Sequence, residues 1–215
     1  MIMRTLIDTY GIMLLRAIGI HMLYTFGATA IGFVLGLLLG IALSRSARVA
    51  HVLLPVLSIF QTIPGLVFIG VLFLIIGMRP ATVLIALSVY AMFPVLKNTC
   101  SGITGVDGKY IEAARGCGMT PFQTLVRVEL PLAMPVIASG LRMAAVYTVS
   151  WAVLAAMIGL GGLGDFIYQG TSSNNSTLIL IGAIPSAIIA IAIGAAIDAL
   201  QRRLTPRGMG GGDAK

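Results

Sequence analysis

Two histidines, two cysteines and seven carboxylates are the imidazole, thiol and carboxylate groups that this 215-residue sequence offers for acid–base chemistry or metal binding. His21 and His51 each sit near the end of an apolar run, with no Glu at metal-ligand spacing. Cys100 and Cys117 lack a paired-motif spacing, so neither a disulfide nor a metal site is expected. No carboxylate pair or Ser-His-Asp set falls inside the apolar runs, which argues against an enzyme acting in the membrane and weakens a proton relay for the same reason. Gly159, Gly161 and Gly164 satisfy the spacing of a dinucleotide fingerprint, but they follow an apolar helical run rather than a strand, so no nucleotide site is expected. Asp198, four residues before Arg202, reads as half of a helix-end ion pair.

What remains is recognition and coupling. Gln61, Pro64, Tyr90, Pro94, Tyr147 and Trp151 are the polar, aromatic and kink-forming residues of the apolar runs, and they are the candidates for a translocation path. An uncharged aromatic lining suits a cation of diffuse charge, because ring faces attract quaternary ammonium groups. No aromatic cage is evident along the sequence. The second constellation is Glu112-Ala113-Ala114, then Gly118, then Val128-Glu129-Leu130-Pro131, a water-compatible island between two apolar stretches. Asp107 can cap a short helix running to about Cys117, with Gly118 as its left-handed stop. Thr120-Pro121-Phe122-Gln123 has the form of a capping box with proline at the first helical position, which starts a second helix. Leu125 and Val126 offer that helix an apolar side, Arg115 and Arg127 give the loop a charged one, and Pro131 interrupts the pattern.

The elements that must position these residues cross a membrane. Hydrophobic residues make up 58% of the chain, charged residues 10%, and the mean hydropathy is +1.03, too apolar for a soluble domain. The net charge of +7 sits at the ends of apolar runs, a topological pattern rather than a nucleic-acid surface. Residues 3–20, with Arg4, Asp8 and Arg16, suit an amphipathic helix on the outer surface. Spans follow over about 23–43, 81–95 extending toward 103, 132–158 and 178–200, each near the ~20 residues a crossing needs. A further apolar stretch over 52–77 is broken at Gln61-Thr62-Ile63-Pro64-Gly65, which predicts a short helix and then a span beginning near Pro64.

Five spans put the chain ends on opposite sides. With the N-terminus outside, Arg45, Arg48, Lys97, Lys109, Arg115, Arg127, Arg142, Arg202, Arg203, Arg207 and Lys215 lie on or near the inner side, and only Arg4, Arg16 and Arg79 lie outside. That asymmetry of eleven to three sets the orientation and places the 112–131 island in the cytoplasm. Arg142, early in the fourth span, is expected to snorkel inward. Small residues recur every fourth position at Gly32, Gly36 and Gly40, and again at Ser186, Ala190 and Gly194, a pattern that lets bilayer helices approach closely. The first 20 residues show no removable signal-peptide pattern. The reading is one transmembrane domain over residues 1–205, with a loop over about 105–131, and a Gly-rich disordered tail over 206–215.

The order Glu-Ala-Ala, three residues, Gly, nine residues, then Val128-Glu129-Leu130-Pro131 closely resembles the EAA loop of the membrane subunits of bacterial ATP-driven (ABC) importers, with Val128 where that family more often has Ile. The resemblance implies an all-α type I ABC importer permease fold, with about five transmembrane helices and a cytoplasmic coupling helix that docks on an ATPase subunit. Glu112, Ala113, Ala114, Gly118, Leu130 and Pro131 are the coupling residues it indicates. Gln61-Thr62-Ile63-Pro64-Gly65, Gly105-Val106-Asp107 leading into Ile111-Glu112-Ala113-Ala114-Arg115-Gly116, and the segment from Gly161 to Ile167 are similar to the osmoprotectant branch, which carries glycine betaine, choline or carnitine. Importers of methionine or another amino acid share the plan and are the alternative, and a passive channel or scaffold is the rival from another class. The family further implies a second permease subunit, identical or paralogous, two ATPase subunits that hold ATP and Mg, an external binding protein that supplies most of the specificity, and a lipid environment in the bacterial inner membrane. No cofactor, no metal and no nucleic acid is expected on this chain.

Overall fold

Inside a bilayer the backbone has no water to bond, so an apolar run must satisfy its own N–H and C=O groups, and a helix does so within one segment. The computed structural model describes residues 2–204, with side chains for residues 10–203. The expected tail, with Arg207 and Lys215, lies outside the described residues, as do the side chains of Arg4 and Asp8. Among the described residues every regular element is helical: α1 (Ile2–Ser44), α2 (Ala47–Phe60), α3 (Gly65–Ile76), α4 (Pro80–Thr104), α5 (Gly108–Gly116), α6 (Pro121–Thr124), α7 (Leu130–Ala152), α8 (Gly164–Ser172) and α9 (Ser176–Leu204). A π turn over Leu125–Glu129 joins α6 to α7, and a 3-10 segment over Val153–Ile158 ends α7. Four of these helical stretches are long and apolar enough to cross a membrane, or five if the bent pair α2–α3 counts as one span.

Three expectations about elements change. The amphipathic segment over 3–20 is not a separate surface helix, because α1 runs unbroken from Ile2 to Ser44. No proline or cap separates the two parts, so nothing terminates the helix. The 35 residues from Tyr10 to Ser44 extend on the order of 50 Å, well beyond the ~30 Å hydrocarbon layer, so one end of α1 stands clear of it. The pair α2–α3 bends by 86° at the expected break, yet α3 is only 12 residues and α2 is 14. Neither half crosses alone. Third, Pro131 does not interrupt anything. The chain stays helical from Pro121 to Ile158, because the π turn, with Leu130 N–H reaching back to Leu125 O, absorbs the missing proline donor.

The centre of the fold is α4, packed between α1 and α7. The glycine stripe of α1 lies flat on it: a Cβ built at Gly36 would stand 2.5 Å from Met92 O, and one at Gly32 2.7 Å from Ala91 Cβ. The second small-residue stripe serves α9, where Ser186 is buried and Gly194 leaves room beside the Arg142 guanidinium. That guanidinium pairs with Asp198 (Nε to Oδ1, 2.9 Å). Asp198 therefore joins α9 to α7 instead of pairing with Arg202, and Arg142 turns to a neighbouring helix rather than only to the interface.

Candidate coupling face and aromatic cavity

The loop after α4 folds by local rules. Asp107 Oδ1 accepts the Lys109 N–H (3.0 Å) and starts α5. The Lys109 ammonium, 2.7 Å from Asp107 Oδ2, holds this exposed carboxyl below the usual carboxylate range. At the other end Met119 N–H returns to Ala114 O and Gly118 N–H to Arg115 O, which closes the helix around Gly118 at φ +75°, a left-handed stop that a Cβ disfavours. Thr120 and Gln123 complete the reciprocal capping box: Gln123 Oε1 accepts Thr120 N–H (2.9 Å), and Thr120 Oγ1 accepts Gln123 N–H (3.3 Å). The result is helix, bend, helix.

This loop sorts its residues into an outer face and an anchor. Glu112, Ala113 and Gly118 are exposed, and Phe122 is 73% exposed, with Tyr110 and Val126 also open. Ala114 is buried, while Leu125 and Leu130 pack on the Ile103, Ala133 and Ile137 cluster. Leu125 and Val126 thus face different surroundings, against the expectation of one shared apolar side, because consecutive residues of a helical stretch point to different sides of its axis. Pro131 is partly buried at the start of α7. Sequence reasoning missed Glu129, which is only 5% exposed and forms a two-pronged ion pair with Arg45 just past the end of α1. Its signal was a carboxylate set between Val128 and Leu130. The pair ties the loop exit directly to the first span.

On the other constellation, Gln61, Tyr90, Tyr147 and Trp151 line one cavity of about 270 Å³, together with Leu87, Ala91 and Thr148. Four of the six path candidates therefore meet. Pro64 does not line it; it precedes α3 with φ −58° and ψ 130° and sets the bend. Pro94 is buried inside α4. The Tyr90 and Trp151 rings lie 4.2 Å apart at 33°, Phe68 stands edge-on to Tyr90 at 5.6 Å, and Phe60 follows at 6.1 Å. An aromatic cluster exists, contrary to the reading of the sequence. Phe60 and Phe68 were overlooked because they sit on α2 and α3, and only the 86° bend turns both toward Tyr90. Tyr90 donates its hydroxyl hydrogen to Ile63 O (2.6 Å), and Trp151 covers Gly65 so closely that a Cβ there would lie 1.7 Å from Cζ3. The elbow between α2 and α3 is thus clasped by the residues that line the cavity. Such a lining can hold a small cation by its ring faces without a formal counter-charge.

Comparison with known proteins extends this geometry. Residues 32–208 match the family described as "Binding-protein-dependent transport system inner membrane component". The chain is 42% identical over 187 residues to the carnitine transport permease protein OpuCB of Listeria monocytogenes, covering 87% of this chain and 86% of that protein. It is 35% identical over 209 residues to the glycine betaine/carnitine/choline transport system permease protein OpuCB of Bacillus subtilis (strain 168), covering 97% and 96%. Among solved structures, an inward-facing MetNI methionine ABC transporter superposes with a TM-score of 0.80 at 24% identity, covering 90% of this chain and 96% of that one, a likeness of fold. The chain belongs to the inner membrane components of binding-protein-dependent transport systems, and it has their type I ABC importer permease fold.

Proposed function

We propose that this chain is the permease subunit of an ATP-driven importer for a quaternary-amine osmoprotectant of the glycine betaine, choline or carnitine kind. The observation that carries the reading is the uncharged cavity walled by Tyr90, Trp151 and Gln61, which suits a trimethylammonium group. The names of the relatives point the same way. In this reading residues 1–205 act as one permease domain, paired with a second permease, identical or paralogous. Two ATPase subunits, which bind ATP and Mg, receive the outer face formed by Glu112, Ala113 and the segment around Gly118. Leu130 and Pro131 root that face in α7. An external binding protein delivers the solute. Closure of the ATPase dimer moves the loop as a rigid lever on α4 and α7, opening the path outward, and hydrolysis returns it inward.

Two experiments test this. The complex reconstituted with its binding protein should take up labelled betaine, choline or carnitine with ATP hydrolysis; uptake of methionine alone would overturn the substrate class. Orientation follows the charge asymmetry, with the N-terminus outside and the C-terminus in the cytoplasm. With Cys100 and Cys117 removed, Ser173→Cys should react with an impermeant thiol reagent from outside, and the reverse labelling would invert the topology.

A further inference from the structure

A glycine-rich segment follows the 3-10 turn. Gly159, Gly161 and Gly162 take φ of +72°, +80° and +99°, which folds their backbone into one wall of a second cavity of about 470 Å³, within the ~300–1,000 Å³ typical of small-molecule clefts. The opposite wall is α1, with Arg16 and Tyr24, and Asp165 and Gln169 come from α8. Both walls lie on the external side of the proposed topology. A Cβ at Gly161 would stand 3.7 Å from Asp165 Oδ2, so the glycine backbone lies directly beside the carboxylate. Tyr24 is fixed by its hydroxyl, which donates to Leu160 O at 3.3 Å.

The charges in this cavity are unspent. Arg16 and Asp165 line the same space, yet they form no ion pair with each other, and neither has a side-chain hydrogen bond among the described residues. Elsewhere in the same range, Arg45 with Glu129 and Arg142 with Asp198 do pair. Burial pushes the Asp165 carboxyl above the usual carboxylate range. A part-buried carboxylate without a partner is costly. A cation entering the cavity removes that cost.

We propose that this cavity is an external recognition subsite for the solute, in which Asp165 and the Tyr24 ring take the quaternary ammonium and Arg16 takes the carboxylate of a zwitterion. The assignment rests on the osmoprotectant reading above and adds to it a site on the permease that precedes the aromatic cavity. The two cavities flank one apolar cluster, in which Tyr24 belongs to the outer space and Leu87 and Trp151 to the inner one. A pure cation uses one half of the subsite. A zwitterion uses both.

That division is the test. Saturation-transfer NMR on the trimethylammonium protons of choline and of glycine betaine reads weak binding to the purified transporter complex without its binding protein. Asp165→Asn should weaken both ligands about tenfold, the equivalent of about 1.4 kcal/mol, and Asp165→Glu should restore most of the signal. Arg16→Gln should weaken glycine betaine about tenfold and leave choline within about twofold. Unchanged binding of both ligands to Asp165→Asn, or equal loss of both in Arg16→Gln, overturns the subsite. If binding is unchanged and the variants instead raise the amount of binding protein needed for half-maximal uptake, the cavity is a protein contact and the inference also fails. Wild-type uptake of the same two solutes separates the failures: uptake with no effect of the variants removes only this subsite, whereas no uptake of any quaternary amine removes the functional reading beneath it.

Discussion

The coupling loop and the aromatic cavity are built in opposite ways. Every bend of the loop is specified within about five residues by caps: Asp107 on Lys109, Thr120 with Gln123, Gly118 at φ +75°. The cavity takes Gln61 from the α2–α3 break, Tyr90 from α4 and Trp151 from α7, and only tertiary packing brings them together. A locally specified element can move as a unit without losing its shape, which suits a lever. One assembled across helices changes whenever those helices shift, which suits a path that must open and close. Substitutions that separate local from long-range effects should expose the difference.

The largest effect is expected at the elbow. Gly65→Val must displace the Trp151 ring and should destabilise the protein by about 2–3 kcal/mol, with transport lost. Trp151→Ala in the same chain should recover much of that stability, and thermal unfolding of the two single variants and the double would measure the coupling. Additive costs would mean that Trp151 does not clasp Gly65. Next comes the Arg45–Glu129 pair, which ties the loop exit to α1. Arg45→Ala leaves a buried carboxylate alone and should cost about 2 kcal/mol, less than a fully buried pair because Arg45 is half exposed. Glu129→Gln leaves an arginine that can reach water and should cost less. Equal losses in chemical unfolding would show that the pair is not asymmetric.

Smaller still is Gly118→Ala, where a Cβ in the left-handed region costs about 1 kcal/mol. Membrane insertion and solute binding should survive while ATPase assembly weakens, as read by co-purification. A change of similar size in solute binding would blur the distinction between the two regions. The smallest effect is expected for Thr120→Ala, which removes one arm of the capping box and should cost about 0.5–1 kcal/mol. Helical content should barely change, and transport should fall less than in the glycine variant.

The same division explains what could be read in the sequence. Caps, the left-handed glycine and the break at Pro64 act over a few residues, so their types and spacing state their geometry. The spans were legible because apolar length has one solution in a bilayer. The convergence of Phe60 and Phe68 on Tyr90 was hidden, since it depends on an 86° angle that no residue encodes alone. Arg45 and Glu129 are 84 residues apart, and as separate charges they read only as topology. Continuity of α1 through residue 20 was missed because Arg4, Asp8 and Arg16 carry the signature of an interfacial helix whether or not the helix goes on. The π turn gave no signal at all beyond Pro131.

That turn has a consequence for registry. A π turn carries one residue more than the α-helical turn it replaces, so it takes up the offset of about 100° that the extra residue would otherwise put between α6 and α7. Deleting Val126, which is exposed, should let the turn relax to a regular α-helix with Glu129 still facing Arg45 and α6 still in phase, because the lost residue and the lost wide turn cancel. Inserting a residue in α7 instead, where no wide turn absorbs it, would swing the loop about the helix axis by about 100°. The wide turn thus works as an indexing pin, which takes up one extra residue between the loop and α7 without turning one against the other.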